Sequence, residues 1–236
     1  MGNLDTFFTD AFESFSNKEE FYKAIFMNTD GEEAERLRVE YYRRRFKSCG
    51  EKLSIGVGVR IINPECISVG DHVCISDGTT LVARGKKSAI NIGSWSTLCD
   101  RVYIDTESDD STINIGKGVY VGTGTTLFGH CGLDIGDNAL LAQNISLTPY
   151  SHIFEDPNKN IIEQGGHTRK VTIGRDVYIG MNSTILYSAD IGEGSVVGSG
   201  AVVVKPLPPY SVAVGNPARI IRKRGEAKVK KDTKEN

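Results

Sequence analysis

From Val171 onward, aliphatic residues recur every six positions: Ile173, Ile179, Ile185, Ile191, Val197 and Val203. Four places after each stand Val177, Ser183, Ala189, Ser195, Ala201 and Leu207, mostly small, and Gly follows the aliphatic at 174, 180, 192 and 198. A period of six is neither helical nor a plain strand alternation, so it marks an internal repeat. In Val177-Tyr178-Ile179 the outer two side chains share one face and Tyr178 points away, as strand alternation requires. Gly180-Met181-Asn182 then supplies a turn. Three such sides and three corners bring the chain back to its start, a triangular coil of about eighteen residues. Coils stack by parallel strand pairing about 4.8 Å apart, and stacking makes continuous a core that no single hexad could bury. The pattern predicts an all-β solenoid.

Upstream the same phase is traceable with interruptions. Ile55, Ile61 and Ile67 hold one phase and Val69, Ile75 and Leu81 another, which predicts a corner change near 67–69. Ile92, Leu98 and Ile104 restart the pattern after a bulging corner at 84–88, and Ile115, Val121 and Leu127 follow a polar excursion at 106–111. Ile135, Leu141 and Leu147 come next, for about eight coils in all. Residues 148–170 then break the period with Pro149, Pro157 and two Gly; long insertions in compact domains are usually functional or disordered. The first 50 residues lack the hexad. Phe7, Phe8, Ala11, Phe12 and Phe15, then Phe21, Tyr22, Ile25 and Phe26, recur at helical spacing, and 32–47 reads as a helix acidic early and basic late. The expected organisation is a helical cap over 1–50, the solenoid over 51–222 with its inserted loop at 148–170, and a disordered basic tail over 223–236.

A net charge of −2 gives no electrostatic reason to expect nucleic acid or a membrane surface. Cys49, Cys66, Cys74, Cys99 and Cys131 show no CxxC and no pairing pattern, so they read as reduced thiols. With neither a signal-like start nor a spanning apolar run, the expectation is a soluble, cytoplasmic protein without membrane insertion.

Ile-Gly-Arg-Asp-Val-Tyr-Ile-Gly (173–180), Gly-Ser-Gly-Ala-Val-Val-Val-Lys (198–205) and Gly-Asn-Pro-Ala-Arg-Ile-Ile-Arg (215–222) resemble the hexapeptide-repeat acyltransferases. Within them the chain is similar to sugar O-acetyltransferases of the galactoside and maltose type and to polysaccharide-modifying relatives, over about 53–222. The resemblance implies a left-handed parallel β-helix, acetyl-coenzyme A as co-substrate, no required metal, a sugar or glycan acceptor and a homotrimer with sites between subunits. Removing a proton from a sugar hydroxyl needs a base, and histidine is poised for that near neutral pH. Thr148-Pro-Tyr-Ser-His152-Ile-Phe-Glu-Asp156-Pro is similar to the family segment that holds its catalytic histidine, which makes His152 the expected base. The acceptor is expected against His130, Asp156 and Gln164. The family's donor-binding positions fall on Met181, Ser199, Val204, Lys205, Arg219 and Arg222, with the cationic side chains suited to phosphate. The chain also departs from the sugar enzymes: their cleft asparagine falls on Gly122 and their acidic acceptor residue on His130, so their sugar contacts do not carry over.

Three other readings compete. An N-acetylating relative would use the same fold and donor on a nucleotide-linked amino sugar. A metal-dependent carbonic anhydrase on this helix needs three zinc-binding histidines, two of them close in sequence, whereas the four here are at 72, 130, 152 and 167. A non-catalytic solenoid scaffold would need neither the His-bearing loop nor the basic closing block.

Overall fold

The computed structural model describes residues 18–226 together with Glu13. It is a parallel β-solenoid with three faces. Face 1 stacks Ser48–Cys49, Ile67–Val69, Ala89–Ile92, Thr112–Ile115, Leu133–Ile135 and Val171–Ile173. Face 2 runs from Ser54–Ile55 through Tyr120–Val121, Leu140–Leu141 and Tyr178–Ile179 to Ser211–Val214, eight parallel strands deep, as the count of sides predicts. Face 3 runs from Arg60–Ile62 through Tyr103–Asp105 and Thr126–Phe128 to Val202–Val203.

The hexad aliphatics fill the interior as expected: Ile173, Ile179, Ile185, Ile191, Val197 and Val203 are all buried, and Val177, Ser183, Ala189, Ser195, Ala201 and Leu207 are buried beside the corners. The small polar residues there bridge coils. Ser183 Oγ donates to Gly198 O at 3.2 Å, and Ser195 Oγ donates to Pro208 O at 3.1 Å while accepting from Ser211 N. Gly180 marks a close approach, since a Cβ there would lie 2.5 Å from Ser199 N in the next coil.

The eighteen-residue coil needs correction over most of the stack. Face 2 aligns Ile55, Ile75, Leu98, Val121, Leu141, Ile179 and Val197, and only the last step is eighteen residues. The reason is face 1, which commits two inward aliphatics per coil (Ile67 and Val69, Ile90 and Ile92, Ile113 and Ile115) and so takes two more residues. That doubling is what the phase slip near 67–69 records.

Insertions all leave from one edge. The corner between faces 1 and 2 keeps four residues in coil after coil (50–53, 70–73, 93–96, 116–119), and so does that between faces 2 and 3. The corner between faces 3 and 1 instead opens into 83–88, 106–111 and 148–170. The last is no formless loop. Tyr150–His152 and Gly166–Thr168 pair antiparallel, pairing His152 with Gly166, and make a two-stranded arm.

Helices α1 (Lys18–Met27) and α2 (Glu32–Arg43) close the first coil. Met27, Tyr42 and Phe46 join the core, and buried Arg38 donates to the carbonyls of Ile55, Phe26 and Thr29. Helix α2 ends at Arg43 rather than at 47, because Ser48–Cys49 already pairs with face 1. That strand carries no aliphatic, so the hexad pattern does not reveal it. At the other end Arg219–Lys223 folds back antiparallel on Ser211–Val214. Of the tail expected over 223–236, Lys223 ends that strand and Arg224 pairs with Asp176 at 2.8 Å, while the part from 227 onward, like the expected helix around Phe7–Phe15 apart from Glu13, lies outside the described residues.

Candidate active site

The extended corner between faces 3 and 1 gathers most of the chemically capable side chains. Val82, Asp105 and Phe128 are register partners at the end of face 3, and the corner and the arm continue the column. The Asp105 carboxylate is fully buried, at 0% exposure. Arg84 clamps it through Nε (2.9 Å) and Nη2 (2.6 Å), Tyr103 Oη donates at 2.7 Å and Glu107 N at 2.8 Å. Burial by itself would push this carboxyl up; the bonds from Arg84, Glu107 N and Tyr103 outweigh it and hold the pKa below the ordinary value. Burial and the bond to Asp105 raise the Tyr103 phenol in turn.

A row of rings leads from this pair to the arm. Phe128 lies 6.0 Å from His130, His130 stacks on Tyr150 at 4.9 Å and 27°, and Tyr150 meets His152 edge-on at 4.8 Å. Half-buried His130 has its pKa lowered by burial, against the opposing pull of Glu107 and Asp105, which keeps the ring neutral near pH 7. His152 is exposed on the arm, its Nδ1 3.3 Å from Tyr150 Oη. The arm is rooted at its base: Arg169 reaches Ser188 and Asp190 of the following corner, and Lys170 pairs with Asp134.

The expected acceptor residues divide. His130 stands beside the base candidate. Gln164 is occupied inside the arm's tip, its Oε1 accepting from Asp156 N and its Nε2 donating to the carbonyls of Asp156 and Lys159. Asp156 caps the same turn by accepting from Asn158 N at 3.0 Å. Both serve to hold the arm's shape. His167, on the facing strand opposite Ser151, stacks instead with Tyr187 at 6.2 Å. Gly122 stands at a crowded corner where a Cβ would meet Ala142 backbone at 2.6 Å, so any side chain there requires the neighbouring coil to shift.

The donor positions occupy two columns on either side of face 3. Met181 and Ser199 sit at successive corners between faces 2 and 3, tied by Gly200 N donating to Met181 O. Arg219 pairs with Val214 at the end of face 2, which brings it to that column. Val204 and Lys205 lie at the far end of face 3, in the column from which the arm leaves. Arg222 pairs with Val212, within face 2. Met181 and Val204 expose apolar surface, and Lys205, Arg219 and Arg222 are open to solvent or nearly so. Among the described residues, no three His, Cys, Asp or Glu come together as a metal site, and no helix is long and apolar enough to cross a membrane. All five cysteines are unpaired.

Family models match two stretches of the chain: bacterial transferase hexapeptide (six repeats) over 170–205, and hexapeptide repeat of succinyl-transferase over 112–149. A chloramphenicol acetyltransferase of Escherichia coli is 31% identical over 162 residues, covering 62% of this chain and 73% of that one. The chain belongs to the hexapeptide-repeat acetyltransferases. Its solenoid is therefore a left-handed β-helix. Galactoside O-acetyltransferase of Escherichia coli is 36% identical over 48% of this chain and 54% of its own. The chain thus spans about half the length of that relative, as it does of an acetyltransferase relative from Mycobacterium tuberculosis, at 54%. Among solved structures, the polysialic-acid-specific acetyltransferase NeuO superposes with a TM-score of 0.63 at 26% identity, covering 78% of this chain and 85% of that one. The N-acyltransferase AntD of Bacillus cereus, in complex with dTDP and 3-hydroxybutyryl-CoA, superposes with a TM-score of 0.55 at 25% identity, covering 79% and 88%.

Tyr150 and the Arg84–Asp105–Tyr103 cluster escaped the sequence reading. The signal for Tyr150 was present: two residues before His152 on a strand, it must share that residue's side. Nothing local announces Arg84, whose partner is 21 residues away.

Proposed function

We propose that this protein is an acetyl-coenzyme A-dependent O-acetyltransferase acting on a hydroxyl of a sugar or glycan precursor, with His152 as general base. The observation that carries the reading is an exposed histidine on a rooted arm, its Nδ1 3.3 Å from a phenol oxygen. His152 takes the hydroxyl proton as the oxygen attacks the thioester carbonyl. The C–S bond then breaks and the imidazolium returns the proton to the leaving sulfur. Met181, Ser199, Val204, Lys205, Arg219 and Arg222 hold the donor, the cationic side chains taking its phosphates. Their fit is supported by the glycine-lined corner beside Met181 and by cationic groups that, for Arg219 and Arg222, bond only neighbouring carbonyls among the described residues. Since the two columns stand at different corners of one chain, a donor groove forms when copies associate, and a homotrimer supplies it.

N-acylation of a nucleotide-linked amino sugar is the second reading, favoured by the likeness to AntD. A screen of hydroxyl and amino acceptors, reading free thiol release, decides between them, because an ester product is lost in mild alkali and an amide is not. His152→Ala should lower turnover about 10²–10⁴-fold with donor affinity nearly intact, while Lys205→Ala or Arg222→Ala should weaken donor affinity with less effect on the chemical step. His167→Ala should cost far less. Near-normal turnover by His152→Ala would overturn the assignment.

A further inference from the structure

We infer that Tyr150 is the positioning residue for His152, held by His130 on one side and by the missing side chain of Gly166 on the other. The inference rests on the reading of His152 as base. Tyr150 and His152 project from the same side of the strand Tyr150–His152, and Tyr150 Oη lies 3.3 Å from His152 Nδ1. One face of the phenol stacks on the His130 ring at 4.9 Å. Its other boundary is Gly166 on the facing strand, where an added Cβ would lie 2.2 Å from both Cζ and Oη of Tyr150. Gly166 keeps extended strand backbone, so no backbone demand calls for glycine there. What requires it is the ring.

The slot has a chemical consequence. The positioning role requires Nδ1–H to donate to the phenol oxygen, the direction that goes with the tautomer whose Nε2 carries the free lone pair. After Nε2 takes the acceptor's proton, the same contact stabilises the imidazolium. The titratable groups behind the pair are His130 with Glu107 and Asp105; His167, the register partner of Ser151, projects from the other side of the arm. The lowered pKa of half-buried His130 keeps a second cation away from the stack.

Nitrogen-resolved NMR of the full chain, labelled at histidine, reads the tautomer directly. The expected result is Nδ1–H on His152; an Nε2–H tautomer would overturn the inference. Tyr150→Phe keeps the ring and removes the hydroxyl. It should lower kcat about two- to tenfold, the usual worth of one hydrogen bond, with KM for the donor unchanged. Gly166→Ala should displace the ring and lose at least as much, yet add nothing in a Tyr150→Ala background, because the ring it strikes is gone. A Tyr150→Phe enzyme with the parent kcat would refute the role of Tyr150 while leaving His152 as base. Should His152→Ala retain turnover, the base assignment falls, and the tautomer measurement still decides the contact.

Discussion

Arg84 and Asp105 show how a single buried charge organises the site edge. Asp105 is at 0% exposure while Arg84 keeps 46%, so one partner is fully desolvated and the other is half in water. Removing the guanidinium leaves a buried carboxylate with only the Tyr103 and Glu107 donors. Arg84→Ala should cost about 2–3 kcal/mol of stability at neutral pH. The sign of the pH dependence follows from the depressed carboxyl. Its stabilising contribution is complete above the unfolded value near 3.9 and disappears as pH falls through the lower folded value. Arg84→Ala should therefore differ most from the parent near pH 7 and least near pH 3, and adding Asp105→Asn should recover part of the loss. Urea titrations at both pH values check this, and an equal deficit at each would show that charge is not the cause.

At the scale of elements, the sides were legible and the corners were not. Ile173 to Val203 announced themselves because every one must fill the same interior, and repetition makes a weak local signal strong. Ile185→Asp should abolish soluble folding, since it loses roughly 1.5–3 kcal/mol of burial and adds an unpaired interior charge costing several more. Melting like the parent would contradict its inward placement. Ser48–Cys49 and the arm went unread for opposite reasons. The first pairs through its backbone without an aliphatic, and the second is a hairpin whose pairing partner lies fourteen or more residues away, beyond any periodic window. Of the site, His152 was legible only through resemblance, and the company it keeps depends on which coils come into register, which no local pattern records.

At the scale of the whole molecule, the outer surface of face 2 bears on assembly. Tyr120, Leu140 and Tyr178 align across successive coils and stay 38%, 44% and 39% exposed, an apolar ladder unusual on a solvent-facing sheet. In the homotrimer proposed above, a second copy would cover it. Leu140→Asp should shift sedimentation from trimer toward monomer with the circular dichroism of the fold retained, and turnover should fall with it. A parent protein that sediments as a fully active monomer would remove the argument.

The two invariant corners make the solenoid a graduated ruler. Because each coil advances the chain by one strand spacing, about 4.8 Å, height along the axis is quantised, and the arm marks one graduation. Met181 and Ser199 mark the next two, joined through the Gly200–Met181 backbone bond. Inserting one complete coil between arm and donor corner would leave every existing face, corner and interior contact type intact. On the roles proposed for His152 and the donor corners, it would still move the base a full graduation relative to the thioester, far beyond the ångström within which such chemistry tolerates displacement. Length in this molecule is a catalytic parameter, set by counting coils.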